Sequence, residues 1–110
     1  MALPTGYSFR SVLSIEQIRT RLQELGHGEW EEGDSAWYGD YIRGDLWGTY
    51  MRIFDGHGQA NEFGRYDPKG FMLLDYGRRG TPTAEMDTRI RDELFPALQV
   101  IEWKPDEAND

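Results

Sequence analysis

The sequence predicts a two-layer α+β sandwich, in which an antiparallel or mixed sheet of five to six strands packs against two helices. Two segments repeat apolar residues every three or four positions, as amphipathic helices do. The other apolar segments are short, rich in aromatic and β-branched residues, and separated by glycine, proline and aspartate. The predicted order is β-α-β-β-β-β-α-β, in which each helix buries its apolar stripe on the sheet. A ferredoxin-like core with an added hairpin is the first topology that fits, and a four-stranded meander with flanking helices is the second.

The first strand and the first helix are predicted within residues 7–26. Residues 7–13 mix aromatic and β-branched side chains, which favours a strand. Ser14 is a good N-cap and Gln17 follows three residues later, which is the spacing of a capping box. Gly26 supplies the stop. The residues predicted to face inward from this helix are Ile15, Ile18, Leu22 and Leu25.

Residues 36–44 and 48–54 are predicted to form a β-hairpin, preceded by a loop or ragged short strand at 28–35. We place the turn at residues 45–47, because Gly44 and Gly48 supply a permissive backbone on either side of it. Alternation in the second strand predicts that Met51 and Ile53 face one side of the sheet and that Tyr50, Arg52 and Phe54 face the other.

A second hairpin is predicted from residues 59–66 and 71–76. Pro68 and Gly70 favour a type I turn between these two strands. The run FMLL at 71–74 is apolar on both faces, so it is predicted to be a central, buried strand.

The second helix is predicted to begin after Thr83, a good N-cap, and Pro96 is expected to end or kink it near Phe95. Residues 99–103 then form the last predicted strand. The core residues predicted here are Met86, Ile90, Leu94 and Leu98 on the helix and Val100 and Ile101 on the strand.

The 110 residues predict one domain, spanning 1–110, with a flexible acidic tail at 104–110. Because there is no cysteine, disulfides, thiolate metal sites and cysteine nucleophiles are excluded. The N-terminal sequence MALPTGYSFR has neither the basic nor the apolar region of a signal peptide, and no apolar run approaches the length of a membrane span. We therefore expect a cytoplasmic protein.

The formal net charge is −8, and it is unevenly spread along the chain. From Glu29 to Asp45 there are six carboxylates and one arginine. Such a field repels nucleic acid and anionic membranes, and it steers a basic protein toward itself. The sequence also contains no glycine-rich phosphate loop and no characteristic spacing of metal ligands. We therefore predict no cofactor, no metal, no catalytic residue and no enzymatic activity.

One short motif points toward chemistry. The sequence RIFDGHG at 52–58 resembles the strand-end aspartate signature of metal-dependent protein phosphatases, in which the aspartate binds a metal pair. The resemblance covers seven residues of a much longer family domain, and Gln59 stands where the family has glycine. A tight turn is the interpretation we favour. The alternative function is a small-molecule-binding domain or minor hydrolase with a site near Asp55 and His57.

The function that the sequence favours is a non-enzymatic protein-binding module that engages a basic protein or peptide through an acidic, aromatic-rich hairpin. Tyrosine and tryptophan bury much area at low entropic cost, and flanking carboxylates select a basic partner. A small, acidic, cysteine-free α+β domain is similar in general layout to bacterial immunity proteins, which implies an inhibitor of a basic toxin domain. We expect a monomer or a weak homodimer. The carboxylates predicted to bind are Glu29, Glu31, Glu32, Asp34, Asp40 and Asp45, and the predicted anchoring rings are Trp37, Tyr38, Tyr41 and Trp47.

Overall fold

A computed structural model of the chain describes residues 3–26, 28–35, 39–55, 72–77 and 80–106. The strands in these ranges are β1 (Gly6–Ser11), β2 (Trp30–Ser35), β3 (Gly39–Leu46), β4 (Thr49–Phe54), β5 (Met72–Asp75) and β6 (Val100–Asp106). Helix α1 is Ile15–Gly26, and a second helical segment comprises α2 (Ala84–Arg89), a π-helical turn (Ile90–Leu94) and α3 (Phe95–Ala97). None of the helices in the described ranges is long and apolar enough to cross a lipid bilayer.

The six strands form one sheet in the order β2-β3-β4-β5-β1-β6, and every neighbouring pair is antiparallel. The second helical segment connects β5 to β6 while β1 lies between them, which is a split βαβ arrangement. Strands β2 to β5 form a meander that returns the chain from the far edge to β1. The predicted α+β sandwich is therefore confirmed, with an entirely antiparallel sheet.

Both helical segments contribute to one apolar cluster on the same face of the sheet, which we call the covered face. From the helices the cluster takes side chains such as Ile18 and Leu22 of α1 and Ile90 of the π-helical turn, each of which is fully buried. The side chains that the sheet contributes to the covered face are Tyr7, Phe9, Trp30, Ile42, Leu46, Met51, Ile53, Met72 and Leu74.

The start of α1 has the predicted capping box. The backbone N–H of Ser14 donates to Oε1 of Gln17 at 2.8 Å, and the N–H of Gln17 donates to Oγ of Ser14 at 3.2 Å. These two bonds satisfy backbone donors that have no partner within the helix. The cap thus fixes where α1 begins, and the buried residues Ile18 and Leu22 mark the side of α1 that faces the sheet.

The second helical segment begins as predicted, with the N–H of Met86 donating to Oγ1 of Thr83 at 3.0 Å. The segment ends at Ala97, two residues after Phe95, and directly before Pro96 the chain widens into the π-helical turn, in which the N–H of Phe95 donates to the carbonyl of Ile90. Pro96 has no N–H to donate, and it lies in the first turn of α3, where a helix tolerates proline. The four inward residues predicted for this segment are all buried: Met86, Ile90, Leu94 and Leu98.

A polar contact also joins the second helical segment to the sheet. The hydroxyl of Tyr7 donates to Oδ1 of Asp87, and Asp87 in turn accepts a hydrogen bond from Arg91 at 3.1 Å. Burial, followed by the bond to Asp87, raises the pKa of Tyr7 well above its ordinary value. The Tyr7 hydroxyl therefore stays protonated and donates to a carboxylate of α2.

The hairpin between β3 and β4 turns at a different place from the one predicted. Strand β3 continues to Leu46, which is fully buried, and the turn consists of Trp47 and Gly48. Both residues have positive φ angles, 54° and 83°, as a two-residue type I′ turn requires. Gly44 lies inside β3 rather than at a turn. The segment predicted as a loop or ragged strand before this hairpin is the regular strand β2.

The last strand also differs from its prediction. Ile101 is 63% exposed, because the register of β1 and β6 shifts between Arg10 and Ser11 and leaves Ile101 without a partner in β1. Val100 packs against the core as predicted. The strand reaches Asp106, so residues 104–106 belong to the sheet. Strand β5 is central, as predicted, whereas the predicted strand 59–66, the turn 67–70 and residues 56–58 of the DGHG motif lie outside the described residues.

Candidate functional site

The face of the sheet opposite the helices carries no helix within the described residues, and we call it the open face. Alternation along the strands and the register between them decide which side chains it displays. Strands β2 to β5 contribute to it Glu31, Tyr41, Arg43, Asp45, Tyr50, Arg52, Phe54, Leu73 and Asp75.

A row of rings crosses the open face. Tyr41 and Phe54 are opposite each other on β3 and β4, with ring centroids 5.0 Å apart and planes inclined by 34°. On its other side, Tyr41 lies across Gly33 of β2, where an added Cβ would meet the tyrosine Cζ at 2.5 Å. Tyr41 is half-buried and Phe54 is buried. The tyrosine ring is thus held flat against the sheet between a glycine and a second ring.

A row of four charges runs beside the rings, with acidic residues at its ends and arginines in its centre. Its members are paired across the strands in the order Glu31, Arg43, Arg52, Asp75. Arg43 donates to one oxygen of Glu31, from Nη2 at 3.1 Å. Arg52 makes a two-pronged contact with Asp75, from Nε at 2.8 Å and from Nη2 at 2.9 Å. The hydrogen bonds to these carboxylates raise the pKa of Arg43 and of Arg52 above the ordinary arginine value.

The two ion pairs neutralise part of the acidity that the sequence places in this region. Glu29 and Asp45 are exposed, and within the described residues neither takes part in an ion pair. Together with Tyr50, they border a shallow recess over Arg43 and Arg52. The open face therefore has a neutral centre, where Tyr41 is half-buried beside the paired charges, with carboxylates at one end.

Three residues of the predicted binding set come together on the open face: Glu31, Tyr41 and Asp45. Glu29 lies at its border, just before β2. Asp34 lies in β2, and only the backbone of this residue is described. Trp37 and Tyr38 lie outside the described residues.

The other predicted residues lie on the side of the helices. Glu32 forms an ion pair with Arg19 of α1 at 3.0 Å, and Asp40 lines a groove beside the start of α1. Trp47 is half-buried against the core, and the guanidinium carbon of Arg89 lies 3.8 Å from its ring centroid. Trp47 is therefore separated by the sheet from Tyr41, although the sequence predicts that both are anchoring rings of one binding surface.

The sequence reasoning did not include four residues that complete the open face: Arg43, Arg52, Phe54 and Asp75. A period of two could have added Arg43, which follows Tyr41 by two residues. Alternation also groups Arg52 and Phe54 with Tyr50, but it is the pairing of β3 with β4 that brings them beside Tyr41. Asp75 could not be found in this way, since it reaches the site only through the pairing of β4 with β5.

The site near Asp55 and His57 that the sequence suggests as an alternative lies only in part within the described residues. No group of three or more histidines and carboxylates in them is arranged to hold a metal ion. Asp55 is half-buried, and its backbone N–H donates to the carbonyl of Asp40 at 2.9 Å. His27 and His57, the two histidines of the sequence, lie outside the described residues.

The comparisons with known proteins give this chain no family. No protein-family model, no curated protein and no solved structure matches it.

Proposed function

We propose that this protein is a non-enzymatic binding module that engages a basic protein partner through its open face. The observation that carries the proposal is the combination of Tyr41, a ring held flat against β2 and β3, with two carboxylates that have no cationic partner in the described residues: Asp45 of β3 and Glu29, which directly precedes β2. The form of this function that the sequence favours is an inhibitor-like role in the cytoplasm, where a cysteine-free domain needs no oxidising compartment.

Charge gives the partner its chemistry. The net charge of −8 attracts a cationic protein over a distance, and Glu29 and Asp45 remain available to pair with lysine or arginine at contact. Arg43 and Arg52 compete only weakly with a partner's cations for these carboxylates, because each arginine is already bound to another carboxylate of the sheet.

The rings supply the contact area. A half-buried tyrosine that rests on a glycine and a phenylalanine has little conformational freedom left to lose, so its exposed edge binds at low entropic cost. Residues of this kind are enriched among those that dominate binding energy in protein interfaces. Tyr41 is therefore the proposed anchor, with Tyr50 beside the recess as a second ring.

The test is capture of the partner from the native host with several versions of the protein as bait. One bait carries Glu29→Lys with Asp45→Lys, and another carries Tyr41→Ala. The matched control carries Glu24→Lys with Asp92→Lys, which changes the net charge equally at two exposed helical residues. We expect the wild-type protein and the control to retain one basic protein that the other two baits lose.

The retained protein is then purified and titrated with each version. Charge reversal is expected to slow association by about tenfold or more, with a smaller difference at high salt. Tyr41→Ala is expected to weaken affinity by about fivefold or more. Equal retention by all four baits, or a partner of acidic composition, contradicts the proposed function.

A further inference from the structure

The edge strand β2 is covered by α1 over only part of its length. The backbone N–H of Trp30 donates to Oε1 of Gln23 at 3.1 Å, and Nε of Arg19 donates to the carbonyl of Trp30 at 2.7 Å. Both backbone groups of Trp30 therefore point away from β3, toward α1. Side chains of the helix occupy this first part of the edge as an additional strand would.

Two residues further along, the edge has no such cover. In an antiparallel pair, backbone groups point alternately toward the neighbouring strand and away from it, so those of Glu32 point outward as those of Trp30 do. In the described part of the chain, no hydrogen bond reaches the N–H or the carbonyl of Glu32. An edge of this kind is a template for one more strand.

A groove lies beside this uncovered part. It has a volume of about 430 Å³ and runs between the first turns of α1 and strands β2 and β3. Ile15 and Ile42 give it apolar walls, while three carboxylates and one guanidinium supply its charge: Glu16, Glu32, Asp40 and Arg19. Such a groove suits a side chain with an aliphatic stem and a cationic head, which is that of lysine or arginine.

The opposite edge of the sheet is built differently. Strand β6 contains Pro105, which has no N–H to donate, and its pairing with β1 is interrupted by the register shift at Ser11. Both features protect an edge from further pairing. No proline or register shift occurs in β2, so β2 is the edge that remains competent to pair.

We infer that an extended basic segment of the partner adds to β2 as a seventh, antiparallel strand, beside Glu32, with a lysine or arginine in the groove. The inference rests on the proposed function, since it states how the basic partner is held. A second copy of this chain is disfavoured as the occupant, because pairing β2 with itself sets the acidic sequence WEEGDS against another acidic strand.

The probe is a short synthetic peptide of alternating lysine and valine. In two further versions the backbone nitrogen is methylated, at every lysine in one and at every valine in the other. In an antiparallel pair a lysine opposite Glu32 turns its own N–H toward β2, whereas the flanking valines turn theirs away. We expect the peptide and its valine-methylated version to bind and the lysine-methylated version to fail, although the two methylated peptides have the same charge.

Two measurements on the protein locate the contact. Amide hydrogen exchange of Glu32 is expected to slow when the unmodified peptide is added. Glu32→Pro, which removes an outward N–H and leaves the β2–β3 ladder intact, is expected to weaken binding about fivefold to tenfold relative to Glu32→Ala. The two variants lose the same carboxylate, so their difference reports the backbone donor, and circular dichroism confirms that both fold.

Equal binding of the two methylated peptides overturns the strand-addition inference, and so does failure of the unmodified peptide to bind. Neither result touches the proposed function, which is judged by whether the Tyr41→Ala bait loses the captured protein. Conversely, a captured protein whose retention depends on Tyr41 but is the same for Glu32→Pro and Glu32→Ala shows that the partner uses the open face without the edge.

Discussion

The two faces of this sheet are made from the same strands, yet different interactions hold them. On the covered face, side chains such as Trp30 and Ile53 are fully buried among apolar neighbours from the helices. On the open face, Tyr41 and the charge row are held by pairs within the sheet itself, across β2 to β5. The covered face therefore carries most of the stability, and the open face is the one through which we propose that recognition takes place.

The β2–β3 hairpin shows the contrast at its smallest scale, because each of its faces has one ring lying on one glycine. Trp30 covers Gly44 on the covered face, and Tyr41 covers Gly33 on the open face. The tryptophan is fully buried, whereas the tyrosine is only half-buried. The same contact between a ring and a glycine thus fills the core on one face and leaves a ring partly exposed on the other.

The largest expected effect comes from removing the ring of the covered face. Trp30→Ala is expected to lower the free energy of unfolding by about 3–5 kcal/mol, because it leaves a large cavity between α1 and the sheet. Tyr41→Ala is expected to cost about 1–2 kcal/mol, since the site is open to water and one ring contact is lost. Denaturant unfolding followed by circular dichroism measures both. Equal losses in the free energy of unfolding would show that the open face contributes as much to stability as the covered face.

The glycines are expected to give a smaller effect in the same direction. A Cβ at Gly44 lies 2.7 Å from Cδ2 of Trp30 and 3.0 Å from the backbone oxygen of Glu29, neither of which moves easily. Gly44→Ala is therefore expected to cost about 1–3 kcal/mol. A Cβ at Gly33 meets the outer end of the Tyr41 ring, which turns away into water, so the cost of Gly33→Ala is expected to stay below about 1 kcal/mol.

The two alanine variants also separate stability from binding. Gly33→Ala displaces the proposed anchor, and it is expected to weaken partner binding while the protein stays folded. If Gly33→Ala lowers the free energy of unfolding as much as Gly44→Ala does, the two faces do not differ in their contribution to stability.

The covered face could be predicted from the sequence because its signals are local. The spacing of Ser14 and Gln17 identifies the start of α1, and the period of Met86, Ile90 and Leu94 identifies the buried side of the second helical segment. Each signal lies within a few residues of the feature it predicts. No knowledge of strand pairing was needed.

The open face could not be predicted in the same way, because its contacts join residues that are far apart in the chain. Its charge pairs, such as Arg52 with Asp75, depend on strand register, and register depends on where each turn falls. The turn at Trp47 and Gly48 puts a tryptophan at positive φ, which the sequence pattern does not favour. With the turn at these two residues, Leu46 pairs with Thr49 and Tyr41 pairs with Phe54, a pairing that a turn at 45–47 does not predict.

The smallest expected effect distinguishes the two ion pairs of the open face. A double-mutant cycle with Arg52→Met and Asp75→Asn is expected to give a coupling energy of about 1 kcal/mol, because the contact is two-pronged and partly shielded from water. Asparagine keeps an oxygen for the N–H of Gly77, which donates to Asp75 at 3.0 Å, so the cycle isolates the arginine contact.

The corresponding cycle for Arg43 and Glu31 is expected to give a coupling that cannot be distinguished from zero. Its guanidinium reaches a single carboxylate oxygen, and water surrounds both side chains, which are 44% and 71% exposed. This weakness also makes Glu31 the carboxylate of the charge row that a basic partner can most readily recruit. If the Arg43–Glu31 coupling equals that of Arg52–Asp75, the charge row is a rigid structural unit, and Glu31 is not available for binding.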